Sequence, residues 1–143
     1  MNEWGSKSKE VYKTIHPLLQ ILMDKTLKVI DVSLICGQRG AEAQAKAFYE
    51  KKSKLPWPLS SHNRTADPSL DRWEYEIVDA VDVAPYPSLF SDREQVIFMA
   101  GIIQGIADEI GINIRIGADW NSDGVLNNKK GDFFDGFHIE LVW

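Results

Sequence analysis

The chain closes on Asp135-Gly136-Phe137-His138-Ile139-Glu140-Leu141-Val142-Trp143, where an apolar strand from Phe137 to Val142 carries a histidine three positions after a carboxylate. Side chains alternate along an extended backbone, so His138 and Glu140 project to the same face. Asp135 lies before the strand, next to flexible Gly136, and can turn its carboxylate towards whatever His138 binds. This spacing suits a zinc ligand standing beside its general base.

Working outward from that strand, the chain has three histidines, and a second one, His62, sits in the polar segment Leu59-Ser60-Ser61-His62-Asn63. The stretch Val78-Asp79-Ala80-Val81-Asp82-Val83-Ala84-Pro85 offers a carboxylate inside an otherwise apolar strand. His62, Asp82 and His138 would make a three-ligand metal site with its fourth position open. They come from a loop and two strands, so only the fold can bring them together, and no short pattern such as H-E-x-x-H is present. The competing reading makes His138 a core histidine with satisfied hydrogen bonds and Asp135 a turn residue.

The rest of the chain supplies a frame for such a site. Val11, Ile15, Leu18, Leu19, Leu22, Leu27 and Ile30 recur at helical spacing, which predicts an amphipathic helix over roughly 8–29 that Pro17 either kinks or starts. Asp31 to Cys36 reads as a strand running into Gly37, and Ala41 to Lys52 as an alanine-rich helix. Residues 53–76 hold Pro56, Pro58 and Pro68 without a sustained period. They read as a long loop beside the site, with a turn of helix around Asp71 to Glu76.

Ile77 to Ala84 is a strand stopped by Pro85 and Pro87, and Ser91 with Glu94 forms a capping-box pattern for a helix that ends at Gly111. Ile112 to Ile116 is a strand, followed by a polar loop from Gly117 to Asp132. This order predicts an α+β domain, a small and largely antiparallel sheet packed against about three helices.

A chain of 143 residues, 44% hydrophobic and 26% charged, can bury about two-thirds of its unfolded surface, so one domain over 1–143 is expected. A net charge of −5 and a pI near 5.2 argue against nucleic acid as a partner. Cys36 cannot form an intrachain disulfide and reads as a small hydrophobe. Met1-Asn2-Glu3-Trp4-Gly5 lacks a signal peptide's basic start and apolar stretch, and no run approaches the ~18 apolar residues of a membrane span. Synthesis in the cytoplasm and no membrane partner are the expectations. Asn63-Arg64-Thr65 matches a glycosylation pattern that means little without secretion.

Five pieces in order, Gly37-Gln38-Arg39 followed by Gln44, Ser60-Ser61-His62, Asp79-Ala80-Val81-Asp82-Val83-Ala84-Pro85-Tyr86, Ile114-Arg115-Ile116-Gly117-Ala118-Asp119-Trp120-Asn121, and Asp135 to Val142, carry a resemblance. From Val32 onward the chain resembles the phage L-alanyl-D-glutamate peptidases. These are endolysins of the zinc D,D-peptidase group, which also includes D-Ala-D-Ala carboxypeptidases and the hedgehog signalling domain fold. The resemblance implies that His62, Asp82 and His138 bind zinc and that Asp135 is the catalytic acid/base. It implies that Arg39 polarises the scissile carbonyl or holds a substrate carboxylate, against the competing reading of a surface ion pair. Ser60 and Glu140 would support the ligands from behind.

The chain departs from the family's compact S-x-H-x-x-G-x-A-x-D stretch, because Thr65 stands at the glycine and Asp82 comes twenty residues after His62. An insertion through Ala66 to Glu76 accounts for this, and it leaves Asp67, Asp71 and Asp79 as competitors for the aspartate ligand. Asp119-Trp120-Asn121-Ser122-Asp123-Gly124 reproduces the first half of a calcium loop, although Lys130 would fall at its twelfth position. Calcium held by Asp119, Asn121 and Asp123, with Asp132 or a carbonyl completing the cage, competes with a loop that satisfies its own backbone. The flat rings of Trp57, Trp73, Tyr75, Tyr86 and Phe90 suit a groove for a glycopeptide, against the favoured reading that most of them anchor the long loop to the core.

The resulting expectation is a zinc-dependent endolysin that hydrolyses the L-Ala-D-Glu bond of the peptidoglycan stem peptide. It would act as a monomer after release from the host cytoplasm to the wall. The alternatives are a D,D-carboxypeptidase or dipeptidase on D-Ala termini, and a non-catalytic wall-binding module.

Overall fold

β4 (Asp135–Leu141) lies inside the sheet, with β2 (Ala80–Pro85) on one side and β3 (Ile114–Gly117) on the other, while β1 (Val32–Cys36) pairs with β2 to give the order β1-β2-β4-β3. The three strand pairings of this sheet are all antiparallel. The computed structural model describes residues 1–70, 76–126 and 135–143, with Asp135 described through its backbone alone. The turn of helix expected around Asp71 to Glu76 and the groove aromatics Trp73 and Tyr75 fall almost wholly outside these residues.

The pleat divides the sheet's chemistry. Leu34, Val81, Val83, Ile114, Ile116, Ile139 and Leu141 are buried with Leu19, Leu22, Met23, Met99 and Ile103 in one apolar cluster. α4 (Arg93–Ile110) lies against β2, β3 and β4 and beside α2 (Pro17–Val29), which accounts for that face. The register sets Asp82 opposite His138, Ala80 opposite Glu140 and Arg115 opposite Glu140, so the polar residues Asp82, His138, Glu140 and Arg115 share the other face.

Four helices are present among the described residues where about three were expected, because the N-terminal pattern splits into α1 (Ser6–Tyr12) and α2. Pro17 marks a true start. It occupies the first turn of α2, where its missing N–H costs nothing, and the His16 ring accepts from the Leu18 amide as the cap. α3 (Ala41–Tyr49) follows β1 as predicted but stops earlier, at the Glu50 cap.

The start of α4 is corrected by one residue, since the Asp92 carboxylate, not Ser91, accepts from the Gln95 amide. Its end is as predicted, with Gly111 left-handed at φ 76. β2 begins at Ala80, later than Ile77, because Val78 instead bridges to Ile15. β4 begins at Asp135, two residues before Phe137, by pairing with Gly117 across an irregularity in the ladder.

Candidate active site

Three donor atoms converge on the polar face. His62 Nε2 lies 3.1 Å from Asp82 Oδ1 and 3.2 Å from His138 Nδ1, and the third edge, from His138 Nδ1 to Asp82 Oδ1, is 3.2 Å. Three ligands each about 2.0–2.1 Å from one tetrahedral ion would stand ~3.3–3.4 Å apart, close to this triangle. All three side chains are buried.

The outer nitrogens of both rings are committed elsewhere. His62 Nδ1 is 2.8 Å from the Gly37 carbonyl and His138 Nε2 is 3.0 Å from Glu140 Oε1. A carbonyl and a carboxylate only accept, so each outer nitrogen carries the proton and each inner one presents a lone pair. Two lone pairs and a carboxylate oxygen facing one point at these distances call for a cation or for extra protons.

Without a metal, protons take that role. Burial opposes the charged form of His62, but the Asp82 carboxylate overrides it and lifts the imidazole to about 10. Burial likewise opposes charge on His138, and hydrogen bonds to Asp82 and Glu140 raise it nonetheless. The same partners hold Asp82 below the usual carboxylate range against its own burial.

The supports come from the segments that the sequence singled out. The Ser60 hydroxyl accepts from the His62 amide at 3.2 Å. The Arg39 side chain is 19% exposed and its ion pair is with Asp82 inside the site. Its Nη1 donates to Gln44 Oε1 at 2.9 Å and its Nη2 lies 3.9 Å from Asp82 Oδ2. Asn63 is fully buried, accepts from the Ser60 amide and donates to the Arg39 carbonyl and to Gln44. It is therefore a brace for the His62 turn and not a glycan acceptor.

The competing aspartates are engaged elsewhere. Asp67 Oδ2 pairs with His16 Nε2 at 2.7 Å, which holds the Asp67 carboxyl below its ordinary value. Asp79 accepts from Thr65 Oγ1, the Ala66 amide and the Trp143 indole. Asp71 lies outside the described residues, as does the Asp135 side chain, whose backbone stands three residues before His138 at the head of β4.

One reading needs correction. Cys36 is not a core hydrophobe, because a bulge between Leu34 and Cys36 sets it opposite Asp82 and turns it to the polar face. Donor atoms of Cys36, His62 and Asp82 all lie within 4.8 Å of one another. Burial pushes the Cys36 thiol up, but hydrogen bonding and charge from His62, aided by Arg39, bring it below its ordinary value. Ideal alternation assigns Cys36 to the face of Val32 and Leu34, and nothing in the run announces the bulge.

These groups open into a cleft of about 770 Å³ lined in part by Arg39, His62, Asp82, Trp120, His138 and Trp143. Its ring walls include Phe137, Trp120, whose centroid is 5.2 Å from that of His138, and Trp143, which packs edge-on against His16. None of the three stands among the aromatics expected at the long loop. Of those, Tyr86 and Phe90 are both exposed, and the Phe90 ring lies against that of Phe137.

At the Asp119 loop the oxygens turn inward. Asp119 accepts from the Asp123 and Gly124 amides, Asp123 accepts from Val125, and Asn121 Nδ2 donates to Asp123. Lys130 and Asp132 lie outside the described residues.

The fold resembles that of the Serratia marcescens L-Ala D-Glu endopeptidase ChiX, with a TM-score of 0.69 at 20% identity over 96% of this chain and 87% of that one. The L-alanyl-D-glutamate peptidase of Escherichia phage T5 is 28% identical over 146 residues, 98% of each chain. The family described as phage L-alanyl-D-glutamate peptidase matches residues 2–142, which takes in the His62 loop and the strands bearing Asp82 and His138. The chain belongs to that family.

Proposed function

We propose that this chain is a zinc peptidase that cuts the L-Ala-D-Glu bond of the peptidoglycan stem peptide, with His62, Asp82 and His138 as the metal ligands. The observation that carries the reading is the triangle of inward lone pairs, 3.1–3.2 Å on each edge, whose outer ring nitrogens are already committed to Gly37 and Glu140. Two imidazoles and a carboxylate form a donor set typical of zinc.

When bound there, zinc supplies Lewis-acid polarisation and lowers the pKa of water towards ~7. Asp135 takes the proton of the attacking water, whose oxygen adds to the scissile carbonyl carbon. Arg39, held over Asp82 by Gln44, faces the negative charge that develops on the carbonyl oxygen or holds a substrate carboxylate. The carbon–nitrogen bond then breaks, and Asp135 returns the proton to the leaving amine. Ser60 braces the His62 backbone, and the Gly37 carbonyl and Glu140 keep the two imidazoles oriented.

Calcium at Asp119, Asn121 and Asp123 is proposed as a second, ordering cation, supported by alternating oxygen donors that keep unused lone pairs beyond those taken by the loop amides. Absence of calcium heat in calorimetry on metal-free protein, with an unchanged thermal midpoint, removes that assignment. No described helix is long and apolar enough to cross a membrane. Action as a monomer on the wall, after release from the cytoplasm where it is made, completes the proposal.

The test joins metal analysis of the purified protein to mass spectrometry of digested wall. The expected result is stoichiometric zinc with new L-Ala C-termini and D-Glu N-termini. Release of terminal D-Ala alone, or no new termini, overturns the assignment.

A further inference from the structure

Although the chain carries a net charge of −5, Arg39, Lys52, Lys54, Arg64 and Arg115 all line its cleft. The described carboxylates that line it with them are engaged: Asp82 with both histidines, Glu140 with His138, and Asp79 with Thr65, Ala66 and Trp143. Arg39 is tied to Gln44 and Asp82. Arg64 and Arg115 differ, since among the described residues neither has an ion pair or a side-chain hydrogen bond, and of the two it is Arg115 that stands on the sheet beside the ligands.

The sheet fixes where Arg115 stands. Its neighbours Ile114 and Ile116 are buried in the apolar cluster, and its cross-strand partner is Glu140, so it belongs to the face that bears His138 and Asp82. It lies one strand over from β4 and two residues along from His138. Strand geometry makes that roughly 5 Å across and 7 Å along, which a long side chain shortens further. Substrate residues advance by about 3.3–3.6 Å each, so a group one residue from the scissile bond falls within its range.

We propose that Arg115 is a specificity residue that reads a free carboxylate on the glutamyl residue beside the scissile bond. The proposal rests on the peptidase reading above. A D-glutamyl residue tied into its peptide through one of its two carboxyls keeps the other as an anion next to the bond that is cut. A planar, permanently charged guanidinium matches a carboxylate through two parallel hydrogen bonds. A partly enclosed cleft weakens solvent screening of that pair compared with open surface.

The test uses two synthetic L-Ala-D-Glu peptides that differ only at this group, one a free acid and the other its carboxamide. They are assayed with the wild-type protein, Arg115→Gln and Arg115→Lys. The expected result is a wild-type preference for the acid of roughly tenfold to a hundredfold in kcat/KM, the range of hydrogen bonds to charged groups. Arg115→Gln should slow on the acid alone and lose the preference, while Arg115→Lys keeps part of it. Equal slowing on both peptides marks a merely structural role and overturns the assignment, as does a preference that survives in Arg115→Gln. If the wild type cleaves neither peptide, the peptidase reading itself fails and Arg115 falls with it.

Discussion

His62 Nε2 and His138 Nδ1 face each other at 3.2 Å while the far nitrogen of each ring is held by an acceptor, Gly37 for one and Glu140 for the other. Two neutral imidazoles in that arrangement oppose lone pair to lone pair. The contact is therefore stable only with positive charge at its centre, and either a metal or added protons can supply it.

That competition predicts a pH dependence with a definite sign. In metal-free protein His62 is raised from 6.5 to about 10 despite its burial, because Asp82 favours the imidazolium. A group with a raised folded pKa stabilises the fold fully below its unfolded value and loses that contribution as pH rises through the folded one. The thermal midpoint of chelator-treated protein should fall between about pH 6.5 and 10, whereas zinc-loaded protein should not follow it, since the metal displaces these protons. Parallel melting curves across that range decide the matter, and a metal-free midpoint that rises with pH contradicts it.

Glu140 should tune the metal through His138. Its carboxylate accepts from Nε2 at 3.0 Å and thereby fixes Nδ1 as the inward donor. Glu140→Ala frees the ring to rotate or change tautomer, and zinc affinity should weaken about 10–100-fold. Glu140→Gln, which keeps an acceptor, should lose less. Competition titration against a chelating dye measures both, and an unchanged Kd in Glu140→Ala breaks the link.

Much of this site was legible because its residues are chemically rare in their settings. A histidine and an aspartate within apolar strands stand out, and alternation placed His138 and Glu140 on one face, as found. The choice of Asp82 over Asp67 and Asp79 came from sequence resemblance, and the pairings of Asp67 with His16 and of Asp79 with Thr65 and Trp143 give it a physical reason. Illegible features depend on contacts between distant segments. The bulge that turns Cys36 to the site arises from pairing with β2, and the Trp120 and Trp143 walls arise from packing around His138 and His16. The split between α1 and α2 lay in between, since Pro17 signalled a break but the cap came from the His16 ring.

Gly37 should prove intolerant of any side chain. A Cβ there would collide with Thr14 Oγ1 and lie 2.9 Å from Ile15 Cγ2, and the Thr14 hydroxyl is already fixed by the Gln38 amide. Relieving the clash displaces the carbonyl that orients His62. Gly37→Ala should cost about 1–3 kcal/mol, the usual range for overpacking, and should also weaken zinc binding. Denaturant melts paired with metal titration check this, and a variant that loses stability while binding zinc normally separates the glycine from the metal.

Asp135→Ala separates chemistry from architecture. β4 pairs through Gly117 at this residue by its backbone, and the three donors stand on other side chains, so fold and zinc content should survive. What is removed is the group proposed to take a proton from water and return it to the leaving amine. A positioned acid/base contributes typically about 10²–10⁴-fold, so lytic rate should drop by that factor at unchanged metal occupancy. Asp135→Asn should be equally impaired, because the amide keeps the shape but cannot accept the proton. Turbidity clearance of wall suspensions, read beside zinc content and the thermal midpoint, provides the measurement. Full clearance by either variant would transfer the acid/base role to another residue, whereas lost zinc would show that Asp135 helps to hold the metal.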